Sequence, residues 1–368
     1  PQTPKTAVAF VAFFSMASSL LSWGFSLIFS GLLVRELAHR VKGMDYRAAG
    51  AAAYLGLGSV WAFGLSSSAA LMMATKSSIP PKLLEVGGVI PLAQTLFLWQ
   101  SMATAFILIA VSVALAYLSA PAGARAKTAE QFGIKYEPQS FDQEPRRRPG
   151  EWLEYSPLLS VLIGLMLAWY LLHEFLTSEK GALAALDLNT YNLIFLTAGL
   201  FLHGTPKRFG KAVSNAVPAV GGVLIQFPFY AVIFGIITGT GISDFLAGLF
   251  VRFTTHSTYP VLVAVYSAVI GVFVPSGGSK WVIEAPYILQ AANIHQVNLG
   301  WVVQIYNASE ALPNLVNPFW MLPVLAILGI KARDMVGYSF MQLLLHLPIV
   351  LWLCWLLAGT LPYLPPAR

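Results

Sequence analysis

The chain has 368 residues, of which 57% are hydrophobic and 10% are Asp, Glu, Lys or Arg, against roughly 25% charged in an ordinary soluble domain. Its one cysteine, Cys354, excludes a disulfide framework, a cysteine-rich zinc site and an iron–sulfur cluster. The net charge of +6 sits in short clusters between ten uncharged stretches of 19 residues or more, which excludes a nucleic-acid partner. About 20 apolar residues cross a bilayer as a helix, so the pattern predicts an all-α polytopic membrane protein in a lipid bilayer.

In chain order, 4–38 has two apolar arms around a small polar centre, Ser18, Ser19 and Ser22, followed by Trp23. It reads as a re-entrant helical hairpin. The segment 46–75 passes through Tyr54 to Gly64-Leu65-Ser66-Ser67-Ser68, then an apolar run and Lys76. It reads as a broken transmembrane helix. A spanning helix at 96–119 completes a first repeat, 1–119. The polar stretch 120–151 has six basic residues and reads as a cytoplasmic loop. Its Arg146, Arg147 and Arg148 could meet anionic headgroups, although a solvated loop that fixes topology is the favoured reading. Three scaffold helices follow within 152–238, at 156–176, 188–206 and 212–238.

The same order of events then returns in 239–368. A hairpin at about 256–292 turns at Pro275-Ser276-Gly277-Gly278-Ser279-Lys280-Trp281. A broken helix at about 298–330 passes through Tyr306 to Pro313-Asn314-Leu315-Val316-Asn317-Pro318, and a spanning helix runs over 335–358. If each hairpin enters and leaves on one face, the three intervening crossings make the hairpins enter from opposite faces. One face then receives 16 basic residues and the other five, with Lys280 inside a hairpin. That asymmetry marks the first face as cytoplasmic. The reading is an inverted repeat, in which helix breaks meet at the midplane and mark the site of a secondary transporter. Almost nothing precedes the first hairpin, so the symmetry implies about three further helices ahead of Pro1.

The breaks supply the candidate site residues. Ser276, Gly277, Gly278, Ser279, Lys280, Ser66, Ser67, Ser68 and Asn314 are candidates for substrate binding. Ser18, Ser19, Ser22, Asn317, Glu284 and Glu310 are candidates for ion coupling. Hydroxyls and unwound carbonyls can replace the hydration of Na⁺, and helix N-termini offer N–H groups to an anion. The serines and glycines could instead let helices pack closely. Lys280 and Glu284, at i and i+4, could pair as a neutral structural unit. Alternatively Lys280 meets the substrate carboxylate, or takes the place of Na⁺, while Glu284 or Glu310 carries a proton. No cofactor is implied beyond Na⁺ or H⁺ as coupling ion. No G-x-x-x-x-G-K-[ST], G-x-S-x-G or H-E-x-x-H occurs, so the expectation is a transporter and not an enzyme.

The stretches LHGTPKRFGKAV, GGVLIQFPFYAVIFGI, VPSGGSKWVIEAP and NLVNPFWMLPVLAILGIKARDMVGY, with LLSWGFSLIFSGLLVRELA, MDYRAAGAAAYLG and GVIPLAQTLF earlier, resemble the bacterial short-chain fatty acid transporter family. The resemblance runs from about residue 5 to 345. It implies movement of monocarboxylates such as butyrate or acetoacetate across the inner membrane by an elevator-type secondary transporter. Its hairpin-tip motif falls on Ser276, Gly277, Gly278, Trp281 and Pro286, and its later motif on Asn314, Pro318, Phe319 and Trp320. The family tip usually reads Ser-Gly-Gly-Gly-Gln-Trp, with a second Gln and a Gly before the Pro. Here Ser279, Lys280, Glu284 and Ala285 stand at those places, and Glu310 and Pro313 replace an Asp and a Thr. Relatives in the wider superfamily dimerise, so a homodimer is compatible with the resemblance.

Overall fold

The computed structural model describes residues 2–134, 149–178, 181–217 and 221–366. Arg146, Arg147 and Arg148 lie outside these residues. Among the described residues every regular element is helical.

The first hairpin is α1 (Pro4–Ser19) and α2 (Trp23–Arg40). The chain turns over Leu20 and Leu21 and restarts at Ser22, whose hydroxyl accepts the Phe25 N–H at 3.4 Å, an N-cap. α3 (Tyr46–Leu55) is capped by Asp45, which accepts the Arg47 and Ala48 amides and pairs with the Arg47 guanidinium at 2.6 Å. The sequence places the break at Gly64 to Ser68, but the helix loosens earlier. A π turn runs over Gly56–Val60 and a 3₁₀ turn over Trp61–Phe63 before α4 (Ser68–Ala74).

Two close backbone approaches explain the loosening. A Cβ on Gly56 would stand 2.3 Å from Ser15 O, and one on Gly64 would stand 2.3 Å from Leu20 Cα and O. Serine hydroxyls bind the carbonyls at this crossing: Ser15 Oγ donates to Ala52 O at 2.7 Å and Ser26 Oγ to Ser15 O at 2.6 Å. Lipid cannot satisfy such groups, so an interrupted helix at membrane depth requires protein donors. A Gly56→Ala variant is expected to lose about 1–3 kcal/mol by overpacking, read as a lower midpoint of thermal unfolding in detergent.

Short α5 (Pro81–Gly87) leads to α6 (Trp99–Ser119). After α7 (Glu151–Tyr155) come α8 (Leu158–Thr177), short α9 (Ala182–Ala185) and α10 (Leu188–His203). The third scaffold stretch is divided differently from the sequence reading. Thr205 caps a separate helix, α11 (Pro206–Ala216), with Pro206 in its first turn, and α12 (Gly221–Gly239) follows. A further helix, α13 (Ile242–Phe253), precedes the second hairpin, α14 (Tyr259–Phe273) and α15 (Gly277–His295). The second broken helix is α16 (Leu299–Asn314) and α17 (Leu322–Leu328), and α18 (Ala332–Ala358) ends the fold.

Among the described residues four helices are long and apolar enough to cross a membrane, or five if a bent pair over 231–253 counts as one. They differ in surroundings. The broken span 46–74 is almost wholly buried, whereas α8 exposes Leu162, Met166 and Trp169, as a lipid-facing helix does.

The packing repeats in pairs. α1 lies on α3 and α6, as α14 lies on α16 and α18. The outer arm α2 packs on α17, the second half of the other repeat's broken helix, and α15 reciprocates on α4 and α5. The caps repeat too: Ser22 and Ser276 cap the outer arms at the tips, and Asp45 and Asn298 cap the broken helices. The protein is therefore a two-repeat helical membrane fold in which the inner arm of each hairpin packs on the broken helix of its own half and the outer arm reaches the broken helix of the other.

Candidate transport site

Both tips and both breaks open onto one cavity of about 850 Å³. From the first half it is lined by Ser22, Trp23, Leu57, Trp61, Ser66 and Ser68, and from the second by Pro275 to Ser279, Asn314 and Trp320. Scaffold residues Tyr191, Asn192 and Phe195 of α10 close its remaining side.

The tips are fixed by bonds to the breaks. The Trp23 amide donates to Ser66 Oγ at 3.1 Å and the Leu65 amide to Leu20 O at 2.7 Å. On the other side Tyr306 Oη donates to Gly277 O at 2.6 Å, and Trp320 Nε1 to Pro275 O at 3.0 Å. Trp23 and Trp320 meet edge to face with ring centroids 5.6 Å apart, joining the first tip to the break between α16 and α17. Tyr54 Oη donates to Asn314 O at 2.8 Å, joining the two broken helices.

Seven of the nine substrate-binding candidates line the cavity: Ser66, Ser68, Asn314 and Ser276 to Ser279. Ser67 does not, because its hydroxyl donates to Asn307 Oδ1 at 3.2 Å and caps the Ala70 amide. Lys280 is also placed away from it. A helix advances 100° per residue, so the first turn of α15 can face the cavity while the next position faces inward. There the Lys280 ammonium lies 2.9 Å from Glu310 Oε2, 3.5 Å from Glu284 Oε1, and donates to Ser267 O at 2.9 Å and Ser267 Oγ at 2.6 Å. All three charged side chains are essentially inaccessible.

Of the ion-coupling candidates, Ser22 reaches the cavity. Ser18 Oγ bonds to Phe14 O at 2.7 Å and Ser19 Oγ to Gly56 O at 3.0 Å. In this arrangement they satisfy carbonyls of the hairpin and the π turn. Asn317 Oδ1 accepts the Phe319 amide at 3.0 Å, closing the turn between α16 and α17.

Two lining residues carry a buried polar atom left unsatisfied. Trp61 Nε1 and Asn314 Oδ1 are buried and have no hydrogen-bond partner among the described residues, and a buried polar group without one is costly. Trp61 escapes a sequence reading because it stands among Gly56 to Phe63, where tryptophan looks like packing. The scaffold pair Tyr191-Asn192 could have been noticed as a polar step inside an apolar run. Around these groups lie Leu57, Leu71, Met72 and Phe195, so the cavity combines a few N–H donors with an apolar wall.

The profile of the family described as Short chain fatty acid transporter matches residues 1–357. The chain belongs to the short-chain fatty acid transporter family. A relative from Escherichia coli (strain K12), named for that family, is 35% identical over 344 residues, covering 93% of this chain and 76% of its own. Another from Haemophilus influenzae is 31% identical over 354 residues, covering 95% and 78%. Its relatives are transporters, not enzymes, and the family and the apolar helices together make it a multi-pass membrane protein.

The fold is similar to two solved structures. Neisseria gonorrhoeae MtrF, described as illuminating a class of antimetabolite efflux pumps, matches with a TM-score of 0.57 at 13% identity, over 95% of this chain and 74% of that one. The Alcanivorax borkumensis YdaH transporter matches with a TM-score of 0.54 at 13% identity, over 98% and 86%. These likenesses extend to the fold.

Proposed function

We propose that this transporter carries short-chain monocarboxylates, of the butyrate and acetoacetate kind, across the bacterial inner membrane, driven by a cation gradient. The observation that carries the reading is the convergence of two hairpin tips on one largely apolar cavity. Each tip presents the N-terminus of a long helix, α2 behind Ser22 and α15 behind Ser276. Helix N-termini favour anions through unpaired N–H groups and the helix dipole. The unpartnered Trp61 N–H adds a third donor, and the apolar wall suits a short alkyl chain.

Transport follows if the hairpins and breaks move as one body past the scaffold. Among the described residues the polar ties across that boundary are few: Tyr191 Oη donates to Leu21 O at 2.9 Å, and the Leu188 amide to Thr75 Oγ1 at 2.9 Å. Such ties can be exchanged without unpacking either side.

The test is uptake of labelled butyrate into proteoliposomes under a Na⁺ gradient, a proton gradient or neither. Passive entry of the undissociated acid is subtracted with protein-free vesicles. Saturable uptake under one gradient is expected. A Trp61→Phe variant, which keeps an aromatic side chain of smaller size and loses the donor, is expected to raise KM by about ten- to a hundredfold, the value of a hydrogen bond to a charged group. If neither butyrate, acetoacetate nor acetate shows saturable uptake, the substrate assignment fails.

A further inference from the structure

The buried cluster behind the second tip contains one cation and two carboxyl groups. Lys280 and Glu284 of α15, Glu310 of α16 and Ser267 of α14 meet there. Ser267 Oγ accepts from Lys280 Nζ and donates to Glu284 Oε2 at 2.8 Å, so its single donor is committed to Glu284. Among the described residues Glu284 Oε1 and both Glu310 oxygens have no hydrogen-bond partner, although the ammonium stands 2.9 Å from one of them. With all three groups ionised the cluster would carry one uncompensated negative charge, which a dry interior does not tolerate.

Among the described residues the neighbouring elements do not supply the missing charge. Tyr306 of α16 covers the ammonium with its ring, 4.3 Å from Lys280 Nζ to the centroid. Tyr266 of α14 and Tyr287 of α15 bond to each other at 2.8 Å. On α13, Phe250 packs edge to face on Tyr266, while Asp244 bonds outward to Gln290. On α18, His346 is held by Ser112 of α6 at 2.6 Å. Among the described residues the other buried ionisable acid is Asp45, already paired with Arg47. α4, α5 and α12 also pack on α15; the titratable groups on α5, Lys82 and Glu85, pair with each other at the surface.

Resting on the transport reading above, we infer that Lys280, Glu284 and Glu310 form a proton site, in which one carboxyl is protonated in this conformation and that proton is the coupling ion. Lys280 acts as a fixed internal cation, and the two carboxyl groups share the exchangeable proton. Tyr306 links the cluster to the cavity, because the phenol whose ring covers the ammonium also donates to Gly277 O at the tip. Glu310 and the cavity-lining Asn314 lie one turn apart on α16. The cluster is closed to solvent here, so proton exchange takes place when the tip lifts from Tyr306. The proton enters from one side and leaves on the other with the carboxylate. The paired movement is electroneutral for a monoanion, so a membrane potential does not drive it and Na⁺ is not needed.

Two measurements test this. In proteoliposomes, net butyrate uptake is compared with butyrate-for-butyrate exchange for the wild type and for Glu310→Gln, which leaves a balanced Lys280–Glu284 pair. The variant is expected to retain exchange within about threefold and to lose net proton-driven uptake by about tenfold or more. Substituting choline for Na⁺ or imposing a potassium diffusion potential should change neither rate. Equal loss of exchange and net uptake, or a requirement for Na⁺, would overturn the proton site. The second measurement needs no transported substrate. Infrared difference spectra at neutral pH should show a protonated-carboxyl C=O band in the wild type that is absent in Glu310→Gln. A wild type without that band would overturn the inference even if butyrate is carried. The band without any carboxylate flux would retain the proton site and reject the substrate.

Discussion

Replacement of Lys280 by Met is expected to lower the stability of the protein by about 3–5 kcal/mol, the usual penalty for removing one partner of a buried ion pair. The reason is asymmetric. The ammonium is the shared partner of Glu310 at 2.9 Å and Glu284 at 3.5 Å, so its loss leaves two buried carboxyl groups and a dangling Ser267. The one that is still ionised must then take a proton or draw water into a closed core. Glu310→Gln replaces a protonated carboxyl by a neutral amide and is expected to leave stability within about 1 kcal/mol, and so is the triple change Lys280→Met, Glu284→Gln, Glu310→Gln, because each leaves the cluster without net charge. Thermal unfolding in detergent, followed by tryptophan fluorescence, distinguishes the three. If Lys280→Met unfolded with the wild type and altered only the butyrate KM, the ammonium would be reaching the cavity and the buried arrangement would not be the working one.

That contrast shows what the sequence can and cannot disclose. The i,i+4 spacing of Lys280 and Glu284 puts them on one helical face, and their isolation in an apolar stretch marks them as unusual. Spacing does not say which face turns toward the ligand, so Lys280 reads equally well as a carboxylate contact. The answer depends on Glu310, which arrives from another helix. The tips and breaks are more legible, because a Pro-Ser-Gly-Gly run between apolar arms is not explained by helix packing. The same residue types explain why Ser18 and Ser19 look like ion ligands. A serine that serves a backbone carbonyl at a helix crossing and one that could serve a cation are alike until the crossing is seen. Trp61 and Tyr191 are hidden for the opposite reason, since aromatic residues are common in such a chain.

The largest expected effect on transport comes from one methyl group at the second tip. A Cβ on Gly277 would stand 2.5 Å from Trp61 Cη2 and 3.0 Å from Cζ2. Trp61 is buried in the interrupted span and cannot swing aside, so the tip must shift away from the first repeat. That shift breaks the register of Tyr306 with Gly277 O and separates the α15 N-terminus from the Trp61 N–H, two of the donors assigned to the carboxylate. A displacement near 1 Å in a positioning element lowers rates on the order of a hundredfold, and Gly277→Ala is expected to lose butyrate transport on that scale while remaining folded. Gly278→Ala is the matched control. Its Cβ would meet Ser68 Cβ at 3.4 Å, ordinary contact, and its transport should stay within about threefold of wild type. Because the two substitutions add the same atom to adjacent residues of one helix, helix propensity and tip flexibility change alike. A large difference in rate therefore reports the fit between the tip and Trp61, and equal rates would place the substrate's path away from this lip.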